Sequence, residues 1–91
     1  MSALALPAEL TQTQASACLR ALASGVTSSP GEVVVVDASN LIRFDSSALA
    51  VLLELRRASL AGGKRFAVQG LPPRLENLAT LYGIADLVPA A

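Results

Sequence analysis

Asp45, Ser46 and Ser47 stand together just ahead of a segment with helical periodicity, and they carry most of the chemistry in this 91-residue sequence. An aspartate in the N-cap position accepts from the first free N–H groups of a helix and suits the positive end of its dipole. Hydroxyls in the first turn lie beside unpaired backbone donors, where an added phosphate meets a favourable field. Asp45 opposes such a phosphate by charge repulsion. The same three residues also read simply as a good helix start, and spacing alone leaves both readings open.

Elsewhere the residue types exclude more chemistry than they offer. There is no His, which removes Ser-His-Asp and Cys-His catalysis together with the commonest metal ligand. One Cys and scattered carboxylates make no metal-ligand cluster. Gly63-Lys64 resembles the end of a P-loop, but Ala58 occupies the required upstream glycine position and no Ser or Thr follows Lys64. Asp37 and Asp45 flank a loop, and a carboxylate pair without a recognisable pocket reads as strand-end and cap chemistry. No catalytic residue, metal or cofactor is therefore expected, and the chain is read as a non-enzyme.

Composition narrows the classes further. Hydrophobic residues make up 53% and charged ones 15%, enough apolar surface to offset the entropy of ordering, so disorder is excluded. Seven basic residues balance seven acidic ones with no basic run, which argues against nucleic-acid binding. The apolar stretches are interrupted by Asp37, Asn40, Asp45, Glu54 or Arg56, short of the ~20 residues a spanning helix needs, so no direct membrane insertion is expected. Met1 to Pro7 carries no Lys or Arg and is too short for a secretory signal, and the lone Cys18 has no internal disulfide partner. A cytoplasmic location is expected. With a mean hydropathy of +0.54, the apolar surplus points to a protein partner. An Ala- and Leu-rich core is the alternative.

The elements that position these residues can be read in order, within one domain spanning residues 1–91. Leu4 to Leu6, ending at Pro7, is at most a short edge strand. Thr11 and Gln14 have capping-box spacing. Ala15, Cys18, Leu19 and Leu22 then mark an amphipathic helix closing near Gly25, with Cys18 a buried structural thiol on its apolar face. Residues 27–31 form a loop. Val33 to Val36, β-branched without alternation, reads as a central strand covered on both faces and closed by Asp37. Residues 38–44 connect to a helix from Ser46 to Ala61, stopped by Gly62-Gly63. A strand from Arg65 to Gln69 follows. Pro72-Pro73 opens a third helix whose core face is Leu75, Leu78, Ala79 and Tyr82, ended by Gly83. A partly apolar tail runs from Ile84 to Ala91. The alternation predicts an α/β fold: a mixed sheet of few strands with helices packed mainly on one face.

Projected at 100° per residue, Ala48, Val51, Leu52, Leu55 and Ser59 form the core side of the Ser46 helix. Leu49, Leu53, Arg56 and Leu60 form a neighbouring face, while Ala50, Glu54, Arg57 and Ala61 lie opposite the core. A helix on a sheet needs one apolar stripe. The second, with an arginine among leucines, is a candidate docking surface. A wide core face reaching a neighbouring helix is the alternative.

The string Val-Val-Asp-Ala-Ser-Asn-Leu…Phe-Asp-Ser-Ser-Ala-Leu-Ala-Val-Leu-Leu, from Val35 to Leu53, resembles the signature of STAS domains. These are the domains of anti-sigma factor antagonists and sulfate transporter tails. Gly62-Gly63-Lys64, the strand Phe66-Ala67-Val68, and Leu78 through Leu81-Tyr82-Gly83-Ile84 extend the likeness over residues 4–88 at the level of pattern. Leu75 to Ile84 is similar to one branch, the small STAS subunit of Mla-type phospholipid ABC transporters (MlaB-type). That resemblance implies a cytoplasmic subunit, peripheral to the inner membrane through its complex, that binds the transporter's ATPase subunit and through it the membrane permease. Ser46, Ser47, Leu49, Leu53 and Arg56 would then be the partner-binding residues. The antagonist branch implies instead an anti-sigma factor and a serine kinase as partners, with Ser46 the phosphorylated residue. Mla-type subunits usually carry Thr at the Ser46 position, and antagonists commonly carry Gly at the Ala48 position. The Ala48 departure and the shortened N-terminal strand pair favour the transporter branch.

Overall fold

The structure, a computed structural model, describes residues 3–28 and 31–91. Residues 1–2 of the N-terminal segment and residues 29–30 of the expected loop lie outside the described residues. Strand β1 (Leu4–Ala5) leads through β2 (Glu9–Leu10) into helix α1 (Gln12–Ser28). Then come β3 (Val33–Asp37), β4 (Arg43–Phe44) and α2 (Ser47–Ala61), followed by β5 (Arg65–Gln69), α3 (Pro73–Leu81) and a 3-10 turn at Ala85–Leu87.

The order β1-β3-β5 makes one sheet, and β2-β4 pair separately. The α/β class and the few-stranded sheet are as expected, but the strand pairs are parallel rather than mixed. The reason is topological: α1 separates β1 from β3 and α2 separates β3 from β5, so each strand restarts from the same end. The tail adds to the far edge, where the Val68 N–H donates to the Pro89 oxygen and the Ala91 N–H donates to the Val68 oxygen, at 2.8 and 2.9 Å.

The valine run behaves differently from its expected two-sided burial. Val34 and Val36 are fully buried, while Val33 and Val35 are only half-buried. Val34, Val36, Phe66 and Val68 enter one core with Leu52 and Leu55 of α2, Leu75 and Ala79 of α3, Val26, Leu6 and Leu10. Each such leucine contributes about 1.5–3 kcal/mol of burial. The helices thus serve one face of the sheet, and the other stays open.

Thr11 and Gln14 form half of the expected capping box. The Gln14 Oε1 accepts from the Thr11 N–H at 2.9 Å and from its hydroxyl at 2.7 Å. Helix α1 continues past Gly25 to Ser28. At Gly25 the helix runs close to β1: a Cβ would sit 2.7 Å from Leu4 Cδ2, the movable end of that side chain. The Gly62-Gly63 stop is as read, with the Gly62 N–H donating to the Ala58 and Ser59 carbonyls. Tyr82 departs from its expected core place, being 56% exposed at the C-cap of α3.

Candidate functional site: the start of helix α2

The Asp45 carboxylate organises this region. Its Oδ1 accepts from the Ser47 N–H at 2.8 Å, as an N-cap should, and its Oδ2 accepts from the Gln12 N–H at 3.2 Å. Gln12 is the first residue of α1, so one side chain serves the free donors of two helix starts. Helical backbone already begins at Ser46, with φ −61° and ψ −15°. The Ser47 N–H, followed by lesser bonds that include the Gln12 N–H, holds the Asp45 carboxyl below its ordinary value, while partial desolvation pulls the other way.

The flanks are tied down by residues distant in sequence. The N–H groups of Ile42 and Arg43 both donate to the Ala8 carbonyl, at 2.8 and 3.0 Å. Arg43 pairs loosely with Glu9 at 4.0 Å, an exposed contact of little energetic weight. The Arg74 guanidinium lies 5.4 Å from the Phe44 ring centroid, joining the first turn of α3 to β4. At the carboxyl end of β3, the Asp37 Oδ1 accepts from the Ser39 N–H at 2.9 Å and from its hydroxyl at 2.6 Å. The Ser39 hydroxyl first, and then its N–H, lower the Asp37 pKa. Gly70, at φ +69°, faces this turn, and a Cβ there would lie 2.7 Å from Ser39 Cβ.

The expected site residues separate by burial. Ser46 is exposed, and its hydroxyl makes no hydrogen bond among the described residues. Ser47 is half-buried. Leu49 is a correction: at 2% exposure it belongs to the core and offers no docking surface. Leu53 is half-buried and packs against that core, and Arg56 is half-buried beside it. The physical reason is that α2 packs on α1 as well as on β5. A helix with two neighbours fills an apolar arc wider than one stripe, which was the alternative reading of this face.

Sequence reasoning missed Ile42. Its side chain is 80% exposed, the most open large hydrophobic among the described residues, four positions before Ser46. In sequence it sits between Leu41, which is buried, and Arg43, so no periodicity marks it as outward. The two hydrogen bonds to Ala8 fix its backbone and present the side chain to solvent.

Other candidate chemistry lies elsewhere or is lacking. A cleft of about 380 Å³ between β5, α3 and the tail is walled by Val68, Leu71, Ala79 and Val88 with Glu76 at its margin, away from Ser46. Among the described residues no group of three His, Cys, Asp or Glu could hold a metal, and no helix is long and apolar enough to cross a membrane. Cys18 is half-buried, and burial raises its thiol pKa. The site therefore offers a surface rather than a pocket: an exposed hydroxyl at a capped helix start, and four residues before it an exposed apolar side chain on a hydrogen-bonded backbone. A family model described as "Mlab, STAS domain" matches residues 2–89. A search of curated proteins finds no match.

Proposed function

The chain belongs to the MlaB-type STAS domain family, and from that premise we propose that it is a non-catalytic subunit docking on the ATPase of a Mla-type phospholipid ABC transporter. In this reading it supports the ATPase's assembly or activity from the cytoplasmic side and reaches the membrane through the permease that the ATPase serves. The observation that supports it is the exposed surface formed by Ile42, Arg43 and Ser46 around the Asp45 cap. Leu53 and Arg56 are left as half-open flanks, and Leu49 acts only by supporting α2 from within.

Burying an isoleucine contributes about 1.5–3 kcal/mol, roughly a 10- to 150-fold change in affinity. Ile42→Glu and Ser46→Arg should therefore each weaken ATPase capture by about tenfold or more while leaving circular dichroism and the melting temperature unchanged. Undiminished binding by both variants would refute the surface. The regulatory reading, an anti-sigma factor antagonist switched at Ser46, draws support from the same unbonded hydroxyl. Phosphate there would add about −1.5 to −2 charges at the docking edge. Stoichiometric phosphate on Ser46 after incubation with candidate serine kinases, read by mass spectrometry, would favour the switch.

A further inference from the structure

We infer that the open face of the β1-β3-β5 sheet packs against the same face of a second copy of this chain. The register defines that face row by row: Val33 beside Arg65, then Val35 beside Ala67, then Asp37 beside Gln69 and Ala5. Val33, Val35, Arg65 and Ala67 line one shallow depression with the Pro89–Ala91 tail, and Val35, Asp37 and Gln69 line the next with Ala3. None of these residues enters the core, which takes Val34, Val36, Phe66 and Val68 from the opposite face. All-parallel sheets occur almost only with both faces covered, so a bare valine-bearing face in such a sheet calls for a cover.

The charge pattern selects the occupant. Arg65 stands at the amino end of the stripe in no ion pair among the described residues, and Asp37 stands at the carboxyl end. A two-fold axis across the strands reverses them, sets Val35 over Val35 and Ala67 over Ala67, and brings each Arg65 toward the Asp37-Gln69 row of the other copy. The pattern is thus complementary to itself when reversed, as an isologous interface requires. Two sheets packed this way lie about 10 Å apart, within reach of an arginine side chain. With seven positive and seven negative residues, no net charge opposes the encounter. The face spans only three rows of the β3–β5 ladder, so the dimer is weak and concentration-dependent. This inference stands apart from the docking surface at Ser46, which lies elsewhere on the molecule.

Sedimentation equilibrium of the full chain, from micromolar to millimolar, should show the mass rising from 9.3 kDa toward a dimer. Val35→Asp and Arg65→Glu should each abolish the rise with unchanged circular dichroism. Val35→Cys in a Cys18→Ser background should cross-link between copies with a short bifunctional thiol reagent, because the axis places the two residues face to face across a sheet spacing of about 10 Å, too wide for a direct disulfide. A wild-type chain that stays monomeric throughout would overturn the inference, as would a dimer persisting in both charge variants. A monomeric wild type whose Val35→Asp variant loses ATPase capture would assign the face to that subunit instead.

Discussion

Asp45 holds two helix starts with one carboxylate, and its two oxygens are not equivalent in consequence. Asparagine keeps one acceptor, which suits the Ser47 N–H, and loses the second, which serves Gln12. Asp45→Asn should therefore speed amide exchange in the first turn of α1 while sparing that of α2. The pH dependence has a fixed sign. The folded pKa is lowered from 3.8, so the carboxylate's contribution is complete above that value and is lost as pH falls through the folded one. Asp37 acts in the same direction. Urea unfolding should show stability declining below about pH 4, and less steeply in Asp45→Asn. Leu49 and Ile42 make the opposite pair. Leu49→Ala should cost about 2–5 kcal/mol by denaturant unfolding, and Ile42→Ala should stay within about 0.5 kcal/mol. Both are apolar residues near one helix start, and only their surroundings distinguish them.

Elements with a long, regular signal were readable without coordinates. The Gly62-Gly63 stop and the Asp45 start bracket α2, and the valine run and Arg65 to Gln69 mark β3 and β5. Strands β2 and β4 were not, because two residues cannot display a period and their pairing joins segments far apart in sequence. The valine run misled for a related reason: four β-branched residues in succession report strand but are silent on how many faces are covered. Leu49 on the second face of α2 misled differently, since a helix wheel cannot say whether a position meets solvent or a neighbouring helix. Gly70 is a further case of a local residue with a distant cause. Its positive φ and the 2.7 Å approach to Ser39 predict that Gly70→Ala destabilises the fold by more than about 1 kcal/mol, measurable by thermal or urea unfolding.

Across the whole molecule, the proposed docking surface of Ile42, Arg43 and Ser46 is held by the Ala8 carbonyl and by the Asp45 bond to Gln12, pieces that share no local motif. The family likeness located the helix start. It did not disclose the isoleucine beside it, since an outward side chain in a connecting segment leaves no trace in periodicity. Another consequence of the architecture concerns how the chain reaches this state. With each strand of the main sheet entered from the same end, no hairpin is available to nucleate it. The β3–β5 ladder forms only after the segment between Asp37 and Arg65 has folded back, so loop closure precedes reward. Stopped-flow chevrons should then show Leu52→Ala in α2 slowing refolding, and Val88→Ala in the tail chiefly accelerating unfolding. The stretch that carries the exposed serine would thus also set the tempo at which the sheet is born.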